Sequence, residues 1–280
     1  MRVTLLGVRG SLPAPGPDFV HVGGHTSCVA IGHESASPTV LLDAGTGLVN
    51  YSRIDDRPFR GTVILGHLHW DHIMGLPFFR AGDHPEARVR VLVPEQGAPP
   101  RALLDRAMSP PIFPIDLDAL GGDWTAATYD EGRHDVEGFE VLAREIPHKG
   151  GRSMGLRVSD GMSTVAYLSD HGPQALGAGC HGIGELHDAA LELASGADLL
   201  IHDAQYTRSE LDLRWDWGHA AAAYAVRLAE AAGARRVVLF HHDPSRTDAQ
   251  ARQLHADAAA GSGVDVILGA ELATFDLPAN

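Results

Sequence analysis

Cysteine is nearly absent from this chain. Cys28 and Cys180 are the only two in 280 residues, and neither has a partner at short spacing. They can build neither a zinc ribbon nor a disulfide framework, so they read as reduced thiols of a cytosolic protein. Basic residues are also scarce, 22 against 36 acidic ones, for a formal charge of −14. That balance gives no general attraction to a polyanion, so a nucleic-acid polymer is not an expected partner. No apolar stretch approaches the ~20 residues that span a bilayer. The apolar run in "MRVTLLGVRG" stops at Gly7, too short for a signal-peptide core. A cytoplasmic protein without membrane contact is the expectation. No repeat or low-complexity linker divides the chain, and with 44% apolar residues it can bury one substantial core. A single domain over 1–280 follows.

What is present is a series of short β-branched runs, among them "TVLLDAG", "TVILGH", "RVRVLVP", "FEVLARE", "TVAYLSD", "DLLIHD" and "RRVVLF". Most are bounded by Gly, Pro or Asp, as strands are. Helical patterns come later, at "GELHDAALELASG", at "HAAAAYAVRLAEAAG" with Gly233 as its stop, and at "SRTDAQARQLHADAAAG". Strands that alternate with helices indicate an α/β chain of two layered sheets with flanking helices. Residues 94–135 break the pattern. This proline-rich stretch predicts an irregular excursion with one short helix over 100–108, long enough to cover a substrate site.

Histidine is abundant, 17 in all, and its arrangement matters more than its number. In "TVILGHLHWDHIMG" an apolar strand runs into His67, His69, Asp71 and His72. If the strand continues, His67 and His69 point to the same side, because strand side chains alternate. Imidazole nitrogen and carboxylate oxygen are donors that zinc and similar divalent ions take. Four such groups in six residues reach two adjacent sites but complete neither. Other strand ends supply more: His148 in "REIPHKGG", Asp170 in "YLSDHG", and His241 or His242 in "VLFHHDP". Two ions about 3.5–4 Å apart clamp the attacking and leaving oxygens of a displacement. A bridging carboxylate such as Asp170 suits that spacing.

This pattern resembles the metallo-β-lactamase superfamily, whose signature is His-x-His-x-Asp-His followed by later ligands in the order His, Asp, His. The resemblance covers nearly the whole chain and implies an α/β (α+β) four-layer αβ/βαβ sandwich with a dinuclear site at one edge of the sheets. It implies that His67, His69 and His148 hold one metal. Asp71, His72 and His241 hold the other, the last favoured over His242 because it follows the strand directly, and Asp170 bridges them. The expected cofactors are two divalent ions, zinc by default and manganese or iron as alternatives. His171, His202 and His242 are expected to be structural or to orient ligands, and Asp43 to fix the loop beneath the metals.

"ADLLIHDAQYT" and "WGHAAAAYAVRLAEAAG" resemble the ribonuclease Z and cyclic-nucleotide phosphodiesterase branch. The resemblance assigns Asp203, with His219 at the start of the Ala-rich helix, to the leaving group or a phosphate oxygen. The segment "GGHTSC" resembles phosphodiesterase-like members, and His25, Thr26 and Ser27 are candidate phosphate contacts. The expected activity is hydrolysis of a small phosphodiester, such as a cyclic nucleotide, by a metal-bridging hydroxide, with Asp71, Asp203 and His219 as catalytic residues. The alternatives are ribonuclease Z-like RNA processing and hydrolysis of a carboxylic ester, lactone, thioester or β-lactam. A metal-binding sensor without turnover is the non-enzyme alternative. The sequence is compatible with a homodimer.

Overall fold

The computed structural model describes residues 1–34 and 36–277. Two seven-stranded sheets lie face to face. The first is built from β1 (Arg2–Gly7), β2 (Cys28–Gly32), β3 (Val40–Leu42), β4 (Arg60–Ile64), β5 (Arg88–Pro94) and β6 (Asp123–Tyr129). The second takes β7 (Gly132–Val136), β8 (Phe139–Ile146), β9 (Ser153–Ser159), β10 (Thr164–Leu168), β11 (Leu199–Asp203), β12 (Arg236–Phe240) and β13 (Asp265–Leu268) in reverse spatial order. β14 (Thr274–Asp276) returns to pair with β1. Helices α1 (Trp70–Ile73) and α2 (Pro100–Asp105) cover the first sheet. α3 (Asp188–Ala194), α4 (Arg208–Arg214), α5 (Ala222–Ala232) and α6 (Asp248–Ala259) lie on the second. These are the layered sheets and flanking helices that the strand and helix patterns indicated, in the four-layer arrangement that the family resemblance implied. Among the described residues no helix is long and apolar enough to cross a membrane.

Side-chain alternation makes the layers. Val165 and Tyr167 of β10, Leu199 and Ile201 of β11, and Val238 and Phe240 of β12 enter the core between the sheets. Their neighbours Ala166, Leu168, Leu200, Val237 and Leu239 pack instead under the helices. A strand buried on both faces must be apolar throughout, which is why these segments read as continuous runs. Alanine lets α5 approach closely, and Gly233 ends it in the left-handed region at φ 66°.

Strand direction places the functional groups. β8 and β10 are both antiparallel to β9, and β10, β11 and β12 are mutually parallel. With β13 parallel to β12, five strands of the second sheet therefore run the same way and release their C-termini at one edge. Parallel β3 and β4 bring their ends to that edge from the first sheet.

Two expectations change. The stretch 94–135 is not irregular throughout: α2 matches its predicted helix, but 123–129 is the edge strand β6 and 132–136 is the edge strand β7. The segment carries the chain from one sheet to the other. Edge strands are buried on fewer sides, and "DWTAATY" and "GRHDV" accordingly lack the apolar run of a central strand. In addition, β4 ends at Ile64, so His67 and His69 lie in the following loop and not on a strand.

Candidate metal centre

At that edge the predicted ligands meet. His67 and His69 lie in the loop after β4, and Asp71 and His72 on α1, with His69 as its N-cap residue. His148 follows β8, Asp170 follows β10 and His241 follows β12. Their donor atoms fall into two groups, His67–His69–His148 and Asp71–His72–Asp170–His241, each with all atoms within 4.8 Å of one another. Asp170 joins the groups through its two oxygens. Oδ1 lies 3.9 Å from His67 Nε2 and 3.6 Å from His148 Nε2. Oδ2 lies 3.0 Å from His72 Nε2 and 3.2 Å from His241 Nε2. Asp71 Oδ2 completes the second group, 3.2 Å from His72 Nε2 and 3.1 Å from His241 Nε2.

The chemistry of these atoms fits a cation. Both ring nitrogens of His67 are buried without a hydrogen-bond partner among the described residues, while His72 Nε2 and Asp170 Oδ2 are buried against each other at 3.0 Å. Leaving buried polar atoms unpaired costs about 1–3 kcal/mol each, and a shared divalent ion removes that cost for several at once. The donor set is imidazole and carboxylate with no thiolate, which suits zinc, manganese or iron.

The two groups differ in charge. Burial holds His67 well below its ordinary pKa and lowers His69, and it drives His148 down to about 4. Those three imidazoles are neutral donors at pH 7. Burial acts on His72 and His241 in the same direction, but Asp71 and Asp170 outweigh it at both, and Asp43 adds to them at His72. Both imidazoles are held above the usual value. The carboxylates respond in kind: burial would raise Asp71 and Asp170, yet the neighbouring imidazoles hold both well below the usual range.

A second set of contacts fixes the ligand rings. Asp43 Oδ2 lies 2.7 Å from His72 Nδ1 and accepts from the Tyr167 hydroxyl at 2.7 Å, while Oδ1 accepts from Gly66 N. The place beneath the ligand loop expected for Asp43 is the one it occupies. His148 Nδ1 lies 2.7 Å from Gly218 O, and His241 Nδ1 lies 3.0 Å from Gln205 Oε1. Ser11 N donates to Asp71 Oδ2 at 2.7 Å. Ser11, Asp43 and His241 all take positive φ, at 63°, 59° and 57°, strain of about 1–3 kcal/mol per residue that the surrounding packing must outweigh. Gly10 is required by space alone, since a Cβ there would stand 2.3 Å from His241 Nδ1.

His219 Nδ1 sits 2.9 Å from Asp203 Oδ2 and 3.6 Å from Asp170 Oδ1. Its ring stacks on His241 at 5.0 Å. It does not start the helix, which begins at Ala222. Tyr206 N donates to Ala220 O, and a bridge pairs Tyr206 with Ala221, so the backbone is extended just beyond His219. A cleft of about 380 Å³ opens over the cluster, lined among others by Ser11, His69, Trp70, Asp71, Asp170 and His219.

The structure does not bring His25, Thr26 and Ser27 to this cleft. Thr26 and Ser27 are fully buried. Thr26 exchanges hydrogen bonds with Thr46, its N donating to Thr46 Oγ1 at 2.9 Å and its Oγ1 accepting from Thr46 N at 2.8 Å. Ser27 Oγ donates to Arg9 O, and His25 N donates to Glu271. Donors beside glycines resemble a phosphate loop, but burial spends these on holding the N-terminal loop. His242 faces away from the cluster, Nε2 lying 2.9 Å from Gly269 O. His171 and His202 bond each other at 2.9 Å. The reading from sequence missed Gly10, Ser11, Gln205 and Gly218. Gly10 and Ser11 lie three and four residues past β1, Gln205 lies two residues past Asp203, and Gly218 directly precedes His219; those positions were the available signal.

A family described as "Beta-lactamase superfamily domain" matches residues 39–242. A relative named ribonuclease Z, from Natronomonas pharaonis, is 26% identical over 99% of this chain and 98% of its own. Among solved structures, the metallo-β-lactamase fold protein YhfI from Bacillus subtilis superposes with a TM-score of 0.72 at 17% identity, covering 98% of this chain and 99% of that one. A diphosphatase of the PhnP family superposes at 0.71 with 16% identity over 99% and 98% of the two chains.

Proposed function

This chain belongs to the β-lactamase superfamily, and from that premise we propose that it is a two-metal phosphodiesterase acting on a small phosphodiester such as a cyclic nucleotide. The observation that carries the reading is the split of Asp170: one oxygen faces His67 and His148, the other His72 and His241. His67, His69 and His148 would hold one ion, and Asp71, His72 and His241 the other, with Asp170 shared and zinc the first choice of metal. Two such ions supply Lewis acidity toward a phosphoryl oxygen and lower the pKa of water towards about 7.

The chain's own residues do the rest. Asp203 accepts from His219 Nδ1, which fixes the ring and leaves the other nitrogen to carry a proton to the leaving oxygen. The buried Asp43 aligns His72, and Gln205 aligns His241. Asp71 is held by Ser11 N and gives the cleft floor a fixed negative group. A small substrate is favoured by the cleft's size, about 380 Å³, within the range of small-molecule sites. The formal charge of −14 points the same way. The name of the Natronomonas relative favours a second reading, processing of a structured RNA.

The test joins metal content to substrate choice. Protein purified without added metal should carry close to two ions per chain. It should hydrolyse 3′,5′-cyclic nucleotides and bis-aryl phosphates faster than thioesters, lactones, β-lactams or precursor tRNA. Cleavage of precursor tRNA alone would select the RNA reading, and failure to take up metal on reconstitution would end both.

A further inference from the structure

The signature that supplies the ligands also carries a large side chain that ligation does not use. Trp70, between His69 and Asp71, is 70% exposed although it sits at the metal cluster. Trp70 lines the cleft over the cluster and also an adjoining one of about 400 Å³. That second cleft shares His67 and His69 with the metal centre, and its far wall comes from α2 and the turn after it, through Leu103, Arg106 and Ala107. These residues belong to the proline-rich segment that the metal chemistry left without a role. Nearby Asp105, Asp116 and Asp118 all pair with Arg101. Among the described residues no carboxylate pairs with the exposed Arg106. A molecule in this cleft has one end at the metal ligands, an indole face and small apolar side chains along its body, and a free guanidinium at its edge.

We propose that this second cleft is the specificity subsite for a nucleobase, with Trp70 as its stacking platform and Arg106 as a donor to the base edge. The proposal rests on the phosphodiesterase reading and deepens it. An exposed aromatic face binds any base, because every base has a π-face. A guanidinium offers a rigid fork of N–H donors to the ring nitrogens and carbonyl oxygens of a base. The phosphodiester then lies over Asp170 and His219 while the base reaches past His69, which selects nucleotide-type phosphodiesters over those with short alkyl groups.

The experiment compares 3′,5′-cyclic AMP with the abasic ribose 3′,5′-cyclic phosphate on the metal-loaded enzyme. Stacking on an aromatic side chain is worth roughly ten-fold or more per base. Trp70→Ala should therefore cut the kcat/KM preference for the base-bearing substrate about ten-fold, mainly through KM. Trp70→Phe should keep most of that preference, and Arg106→Ala should reduce it about three-fold. A preference within about two-fold of wild type in Trp70→Ala overturns the proposal. Binding of adenosine 5′-monophosphate, read by tryptophan fluorescence, separates the two hypotheses. Quenching that Trp70→Phe abolishes supports the subsite even if wild type hydrolyses neither substrate, a result that would sink the phosphodiesterase reading alone. Absence of binding in a wild type that hydrolyses both substrates equally overturns the subsite and leaves that reading standing.

Discussion

His67 and His148 face Asp170 Oδ1, and burial holds these two and His69 below the usual imidazole value, whereas His72 and His241 lie between Asp71 and Asp170 Oδ2 and are held above it. Burial pushes all five imidazoles down, so desolvation alone does not separate the groups. The carboxylate count does: the first group faces one oxygen of a shared Asp170, and the second faces Asp71 and Asp170, with Asp43 behind His72. The same fold edge thus holds one group whose imidazoles part with protons readily and one whose imidazoles hold them more tightly, and a cation must displace any proton on a nitrogen it binds. Metal uptake by the carboxylate half should weaken first as the pH falls.

The comparison can be broken most sharply at the residue the halves share. Asp170→Ala should remove metal from both, leaving well under one ion per chain, and lower turnover by about a thousand-fold or more. Retention of one tightly held ion would show that the histidine half stands without the bridge. His67→Ala and Asp71→Ala strike one half each. Both should reduce turnover by about a hundred-fold or more in a protein that stays folded, with close to one ion retained. If either loses both ions, the halves act as one unit and the contrast collapses.

His219→Ala removes none of the seven proposed ligands, although its ring packs on His241 and His148, and should act on the leaving group. Turnover of phosphodiesters with poor leaving groups should fall about a hundred-fold, and of activated aryl esters far less. Equal losses would remove the proton-donor role. Asp43→Asn should weaken metal affinity about ten-fold or more, and only at the carboxylate half, which a two-step metal titration would resolve.

The smallest effect concerns two adjacent histidines. His241 faces the carboxylates and is raised, while His242 faces Gly269 O and is driven by burial down to about 3. The unfolded chain takes up a proton at His242 below about pH 6.5, which the native state refuses until far lower pH. The unfolded state then binds more protons, so stability rises with pH across that window and is lost on acidification. Metal-free protein should lose about 2 kcal/mol between pH 7 and pH 5 from this group, or about 3–4 °C in Tm. His242→Asn should flatten that slope, and an unchanged slope would show that His242 is not held neutral.

Much of the centre was legible because "HLHWDH" packs four ligand-type residues into six, and because His148, Asp170 and His241 each follow an apolar run. The layered fold was legible for the same reason: strands buried on both faces spell themselves as unbroken apolar segments. What escaped was whatever depended on residues far apart in the chain. Gln205 holds His241 and Ser11 holds Asp71, yet neither is a ligand type, and their partners lie 36 and 60 residues away. His25, Thr26 and Ser27 erred in the opposite sense. Their residue types suit phosphate, but the loop is buried and its donors are already taken.

The sequence by itself determined the donor chemistry, imidazole and carboxylate without thiolate, and the periodicities that lay those donors at strand ends. Only the tertiary structure decided that Asp170 turns one oxygen to each group, that His241 and not His242 faces inward, and that Trp70 overlooks a second cleft. Coordination, charge and desolvation all depend on distances of a few ångströms. Asp71 and His241 lie 170 positions apart in the chain, and such a distance is set only when folding brings α1 against the end of β12.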